Sequence, residues 1–458
     1  MAENKALKKY EIDMVNGPIL RNLLIFAIPL MASSVLQLLF NAADIIVVGR
    51  FVGDVALAAV GSNSALINLL TNFFIGLSIG TNVLVSHYFG AGKPEETGST
   101  VHTSILMSIF SGIILTVVGI FFAPSILRLM QTPENILPLA ILYIRIYFAG
   151  VTSTMVYNFG AAILRAVGDT RRPLYYLFIA GVVNVILNLF FVIGFNMSVA
   201  GVALATIISQ TVSAILIIRC LMKSEGPLKL EFSKLKFDYD KFIRIVRIGL
   251  PASFQGTLFS ISNVIIQASI NSFGDIVVAG CSAASNIEGF VYVSMNAFYQ
   301  ATMTFTSQNY GARKIERINK ILFSGLLSVT VTGLLLGNLV YFFGNDLLRI
   351  YTDSDSVVEA GMVRLLLVCC PYFLCGVMDT MVGSLRGLGY SVMPMIVSLI
   401  GACGLRIIWI FTLFRLDYFH TPFMLYITYP VSWTVTFLTH VICFIIIRRK
   451  IGLKMSAV

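Results

Sequence analysis

Residues 164–173 read LRAVGDTRRP and residues 385–394 read LRGLGYSVMP, so Leu164, Arg165, Gly168 and Pro173 recur 221 positions later as Leu385, Arg386, Gly389 and Pro394. The same offset relates Gly53 and Asp54 to Gly274 and Asp275, Gly112 to Gly333, and Leu127 and Arg128 to Leu348 and Arg349. It also relates Gly90, Ala91 and Lys93 to Gly311, Ala312 and Lys314. Nearer the start, Pro29 pairs with Pro251 and Asn41 with Asn263 at 222, so one residue has been gained or lost between Asn41 and Gly53. A period this long in such apolar sequence points to a membrane protein built as two similar halves.

Composition supports that class. Hydrophobic residues make up 57% of the 458, charged residues only 12%, and the mean hydropathy is +0.88, far from the averages of soluble domains. Spans of roughly 20 apolar residues are expected at 20–49, 56–86, 102–124, 138–162, 174–195, 199–220, 248–271, 277–308, 322–344, 358–383, 392–413 and 426–447. The fold class is therefore all-α and polytopic, with about twelve transmembrane helices in two six-helix bundles. Interior Gly, Ser and Thr favour packed helices over the alternating pattern of an outer-membrane barrel. Domain boundaries are expected at 1–228 and 229–458, with the polar stretch 219–247 as a linker on the inner surface. An even number of spans per half makes the repeat parallel, with a pseudo-two-fold axis along the membrane normal.

Lys and Arg flanking the spans set orientation. The amino-terminal arm, the turns near 93, 165–172, 219–247, 313–320 and 386, and the tail from Arg448 to Lys454 hold 25 of the 32 basic residues. Both termini are expected in the cytoplasm, with the chain in the cell (inner) membrane, and the +10 net charge needs no nucleic-acid partner. The start, MAENKALKKYEID, lacks the apolar region of a signal peptide and is expected to form a short surface helix. Seven cysteines, mostly inside apolar spans, read as packing residues rather than a disulfide framework or a metal site. No nucleophile, nucleotide or metal-ligand motif is present, so neither enzyme activity nor a cofactor is expected. FGAGK at 89–93 lacks the spacing of a phosphate loop; its glycine at the end of the span is read as permitting a sharp helix exit.

A carboxylate in the bilayer costs on the order of 2.5–3.5 kcal/mol, which makes each one a functional candidate. Three are expected there: Asp44, Glu288 and Asp379. Ser33, Gln37, Asn41 and Asp44 are spaced by four, four and three and share a helix face. Their oxygens suit a proton or a sodium ion; the alternative is an interhelical clasp. Asn184 and Asn188, one turn apart, either complete a polar chamber with Asp44 or bond helices together. The candidates for substrate or a second ion are Glu288, Asp379, Asn263, Gln267, Tyr292 and Arg406 in the second half and, in the first, Asn158, the repeat counterpart of Asp379. Arg406 lies too deep in its span to snorkel and is expected to take an acidic or carbonyl partner, Glu288 and Asp379 being the obvious ones.

NAADIIVVGRFVGDVALAAVG at 41–61, FGAGK, TSQNYGARKIER at 306–317 and the paired LRAVGD and LRGLGY turns resemble the MATE family, the multidrug and toxic compound extrusion transporters, most closely its prokaryotic DinF-like branch. The resemblance covers essentially the whole chain. It implies two six-helix bundles forming a V around a central cavity. It also implies export of cationic or amphipathic organic compounds in exchange for protons or sodium, by rocking alternating access. Apart from the resemblance, a monomer is expected to suffice. The family's first-helix acid matches Asp44. The branch's fifth-helix motif, Asn followed four residues later by Asp, matches Asn184 but meets Asn188, which cannot titrate. Asp379 stands where the family's tenth-helix acid is expected. The competing readings are a flippase for a lipid-linked precursor, and a passive channel or membrane scaffold.

Overall fold

The computed structural model describes residues 10–456. The expected amino-terminal surface helix falls mainly on residues 1–9, outside those described, and residues 10–13 are not helical. In chain order the long helices are α1 (Ile19–Phe51), α2 (Asp54–Gly90), α3 (Pro94–Leu129), α4 (Leu137–Ala149), α5 (Val151–Ala166), α6 (Arg171–Gly194) and α7 (Ser198–Lys223). They continue with α8 (Tyr239–Asn271), α9 (Asp275–Gly311), α10 (Ile315–Phe342), α11 (Asp355–Gly387), α12 (Val392–Arg415) and α13 (Pro422–Leu453). Among the described residues ten of these are long and apolar enough to cross a membrane, and α4 with α5 makes an eleventh, bent by 46°. The chain is an all-α polytopic membrane protein. The span expected at 138–162 is thus a broken one, hinged at Gly150, where an added Cβ would lie 2.4 Å from Ile207; close packing against α7 accompanies the break. Helix α8 is 33 residues long, yet Gln255, Ser260, Asn263, Gln267 and Asn271 lower its hydropathy enough to keep it out of that set.

Two compact units form. One contains Ala32–Ser253 with the short stretch ending at Asp13; the other contains Met14–Met31 with Phe254–Val458. A single cut between 228 and 229 does not reproduce them, because each unit includes the opening turns of the other half's first helix. The seams fall just after Pro29 and Pro251, the proline pair of the repeat and the interior prolines of α1 and α8. A helical proline lacks one backbone donor and bends the axis, so the change of unit comes at the same step in both copies. The exchanged pieces are well held. Phe26 packs edge-on against Phe305 at 5.7 Å and Asn309 donates to the Met14 carbonyl at 3.0 Å; in the other unit Gly80 lies against Ile245 and Gly249 against Leu77.

The repeat is visible in packing detail. A Cβ on Gly112 would sit 2.5 Å from the Thr152 backbone, and one on Gly333 would sit 2.8 Å from the Phe373 backbone. Thr152 and Phe373 are themselves repeat partners, so the same helix crossing is built twice on the same missing side chain. The FGAGK and YGARK turns behave alike with one difference from expectation. Gly90 and Gly311 are still helical, and the left-handed step is taken two residues later by Gly92 (φ 65°) and Arg313 (φ 59°). Each unit then fills with apolar side chains. Leu115, Leu127, Ile144 and Phe148 are fully buried in the first, and Leu348, Leu365, Leu385 and Leu425 in the second.

Candidate functional site

In the first unit, α1, α6 and α7 bring four oxygen-bearing side chains together. Asn188 donates to Asp44 Oδ1 at 2.5 Å and to Asn184 Oδ1 at 3.2 Å, and Thr206 lies 3.4 Å from Asp44 Oδ2 and from Asn184 Nδ2. Asn184 and Asn188 are buried, Asp44 is partly buried, and Asn188 Oδ1 is buried without a hydrogen-bond partner. The fifth-span amides therefore bond to the first-span acid as well as to each other. Tyr143 and Tyr147, stacked at 6.4 Å, lie within electrostatic range of Asp44. Gln37 and Asn41 are exposed and make no hydrogen bond with Asp44. Sequence spacing does not pick out Thr206 or the tyrosines. The tyrosines, one turn apart in an apolar span, carry a visible signal; Thr206 resembles any helix-packing threonine.

In the second unit, a cavity of about 250 Å³ opens between α8, α9, α11 and α13, and its walls include Asn263, Gln267, Ser285, Glu288, Arg364 and Tyr372. Three of the expected residues, Asn263, Gln267 and Glu288, thus share one space. Glu288 does not pair with Arg406. Its two oxygens accept from Arg364 Nε at 2.8 Å and Nη2 at 2.9 Å, a bidentate pair whose side chains are each 8% exposed. Arg364 is a span residue to which the sequence alone assigns no role. Arg406, expected to find an acid or carbonyl, donates to the Ser432 hydroxyl at 2.8 Å and lies over the rings of Tyr429, at 4.2 Å, and Trp433, at 5.5 Å. Asp379 is partly buried, in electrostatic reach of Arg386, and makes no hydrogen bond or ion pair among the described residues. Tyr292 is exposed, outside the cavity's walls. Asn158, in the other unit, donates to the Thr154 carbonyl one turn back at 2.8 Å.

Local backbone irregularity marks these places. The π turns at Phe190–Gly194, Leu365–Cys369 and Leu399–Gly404 adjoin Asn188, Arg364 and Arg406 in turn. A π turn widens the helix and shifts the phase of the next turns. After the second one comes Pro371, with a non-helical ψ of 15°.

Comparison with known proteins fits this architecture. The MatE family model matches residues 29–190 and 251–412, two stretches that begin at the paired prolines. The chain belongs to the MatE family. It is 27% identical to the probable multidrug resistance protein YoeA of Bacillus subtilis over 394 residues, covering 84% of this chain and 85% of that one. The probable multidrug resistance protein NorM of Thermotoga maritima is 25% identical over 399 residues, 86% and 84% of the two chains. The fold of a crystal structure of MATE in the bent conformation matches with a TM-score of 0.88 at 22% identity, covering 98% of this chain and 99% of the other. Members of the MatE family are membrane transporters rather than enzymes.

The charges of this MatE protein separate cleanly. Glu288 is neutralised in place by a guanidinium, whereas Asp44 is held only by amides and a hydroxyl. A carboxylate stabilised by dipoles alone leaves its charge open to a proton or cation. The oxygens of Asp44, Asn184, Asn188 and Thr206 form a donor set suited to a hard cation such as sodium. The cluster in the first unit thus holds a carboxylate with no cationic partner, and the second unit holds a polar cavity lined by a closed ion pair.

Proposed function

We propose that the protein is a secondary active exporter that moves cationic or amphipathic organic compounds, including drugs, out of the cell in exchange for protons or sodium by rocking alternating access. The observation that carries this reading is Asp44: an unpaired carboxylate within a membrane-spanning helix of a MatE transporter, clasped by Asn188 and Thr206. Multidrug relatives at 27% and 25% identity over most of the chain support the cargo class. Both termini are placed in the cytoplasm by the distribution of Lys and Arg, the chain lies in the cytoplasmic membrane, and one protomer suffices.

The mechanism follows from the clasp. An ion entering at Asp44 from outside replaces the stabilisation that Asn188 and Thr206 give the bare carboxylate, weakens cargo binding and favours return to the inward-open state. One charge crossing about 100 mV supplies roughly 2.3 kcal/mol, so one coupled ion sustains about a fiftyfold gradient of a cargo without net charge, whereas one-for-one exchange with a monovalent cation moves no net charge and draws on the ion's concentration gradient alone. Asp379, the second unpaired carboxylate, is the site for a second ion. Glu288, Asn263 and Gln267 line a cargo or ion pocket. Efflux of ethidium and norfloxacin from cells carrying the wild type or Asp44→Asn tests the reading. It predicts efflux by the wild type and its loss in the variant; efflux by neither protein refutes the drug-exporter reading, and equal efflux removes Asp44 from the mechanism.

A further inference from the structure

The walls of the second-unit cavity and the side chains just behind them do not balance in charge. Glu288 is spent on Arg364. Arg406 is 7% exposed and has no carboxylate partner; beyond its bond from Nε to Ser432, its two terminal nitrogens have no hydrogen-bond partner among the described residues. Its guanidinium lies on the ring of Tyr429, a residue of the cavity wall, and Arg364 lies over the same ring at 5.7 Å. Asp379 does not supply the missing charge, since the cation it faces is Arg386. Two guanidiniums thus lie on one tyrosine and only one of them has a carboxylate, leaving one positive charge uncompensated. Cation-π contact contributes roughly 0.5–2 kcal/mol, less than the cost of a bare cation at membrane depth.

Arg364 adds capacity of the same sign. Its Nη1 is directed at the Cys281 sulfur at 3.2 Å, a weak acceptor, so the guanidinium has donors left after its carboxylate is served. Around it stand the amides of Asn263 and Gln267 and the apolar side chains of Ile266 and Val368. Spare guanidinium donors, neutral amides and an apolar wall form a site for a carboxylate attached to a hydrophobic body. The volume of about 250 Å³ admits a substituted aromatic ring.

We infer that the cavity between α8, α9, α11 and α13 binds the carboxylate end of organic anions and zwitterions, with Arg406 supplying the uncompensated charge. The inference deepens the exporter reading, on which it rests for its biological meaning. It gives the carboxylate of cargo that carries both signs, such as norfloxacin, a place in the second unit.

The test is a binding measurement that does not depend on transport. The chain has two tryptophans, and in a Trp409→Phe background Trp433, beside Arg406, is the only emitter. The purified full chain in detergent is titrated with benzoate and with benzamide, of the same shape but uncharged. Saturable quenching by benzoate, with benzamide at least tenfold weaker, is expected. Arg406→Gln should weaken benzoate at least tenfold, and Arg406→Lys should recover part of the loss. Equal affinity for benzoate and benzamide, no saturable response, or unchanged benzoate affinity in folded Arg406→Gln overturns the inference. The benzoate-to-benzamide contrast needs no Arg406 variant, so it decides the matter even if Arg406→Gln does not fold. Failure of cells to export ethidium or norfloxacin would count against the exporter reading alone, leaving this result standing.

Discussion

Replacing Arg364 by Met keeps much of the side-chain volume but removes the guanidinium, leaving Glu288 buried without the two donors that hold it at 2.8 and 2.9 Å. With both side chains 8% exposed, water reaches neither easily. Breaking such a pair from one side typically costs about 3–5 kcal/mol, most of it the penalty of the stranded charge. The cation-π contacts of Arg364 with Tyr426 and Tyr429 disappear too, adding about 0.5–1 kcal/mol each. For a unit of this size 1 kcal/mol moves the melting temperature by roughly 2–4 °C, so the combined loss of about 4–7 kcal/mol should make Arg364→Met melt about 8–28 °C lower. The assay is the apparent melting temperature of detergent-solubilised protein, read by size-exclusion after heating. Glu288→Gln in the same background should restore much of the loss, because it removes the stranded charge. A single variant melting within about 2 °C of wild type, or a double variant as unstable as the sum of the singles, would refute the reasoning.

Other consequences can be measured independently. Gly112→Val and Gly333→Val press a side chain into backbone only 2.5 and 2.8 Å from the glycine's missing Cβ; each should lower stability by about 1–3 kcal/mol, whereas Gly256→Ala, with nothing within 4 Å, should melt close to wild type. Thr206→Val removes one of the two side chains that hydrogen-bond Asp44 and should cut transport several-fold while leaving the melting temperature within a few degrees of wild type. In the connecting segment, hydrogen bonds from Lys234 and Lys229 hold the Glu231 carboxyl down at about 2. A depressed acid contributes order that is fully present above its ordinary value of about 4.5 and lost as pH falls toward about 2. Pepsin cleavage within 224–238 should therefore accelerate between those limits, and Glu231→Gln should flatten the dependence.

Much of the architecture is legible in the sequence because period and hydropathy are global signals. The proline pair Pro29 and Pro251 and the glycine pair Gly112 and Gly333 announce twin crossings, and Asp44 with Asn184 and Asn188 announces a cluster. Partner choice is not legible. Arg406 looks like the counter-ion of Glu288, yet α11 brings Arg364 to that carboxylate, one residue before the π turn at Leu365–Cys369, and Arg406 settles on Tyr429, Trp433 and Ser432. Helical spacing assumes an unbroken 3.6-residue repeat, and α6, α11 and α12 each depart from it beside a buried polar residue. The same assumption puts Gln37 and Asn41 with Asp44 on one stripe, while the structure engages the acid through α6 and α7 instead. The unit boundary escapes too, because the polar stretch 219–247 marks a break between halves, whereas the chain changes unit just after Pro29 and Pro251, inside apolar helices.

The central claim is that Asp44 carries the coupled ion. Purified protein in liposomes loaded with a pH- or sodium-sensitive dye, given ethidium on one side, reports ion movement and cargo movement together. Wild-type protein should move protons or sodium in the direction opposite to ethidium. Asp44→Asn, isosteric and still able to bond Thr206, should lose the ion signal and at least tenfold of the gradient-driven ethidium flux while remaining folded. Ion-coupled ethidium transport by Asp44→Asn at the wild-type rate would contradict the account.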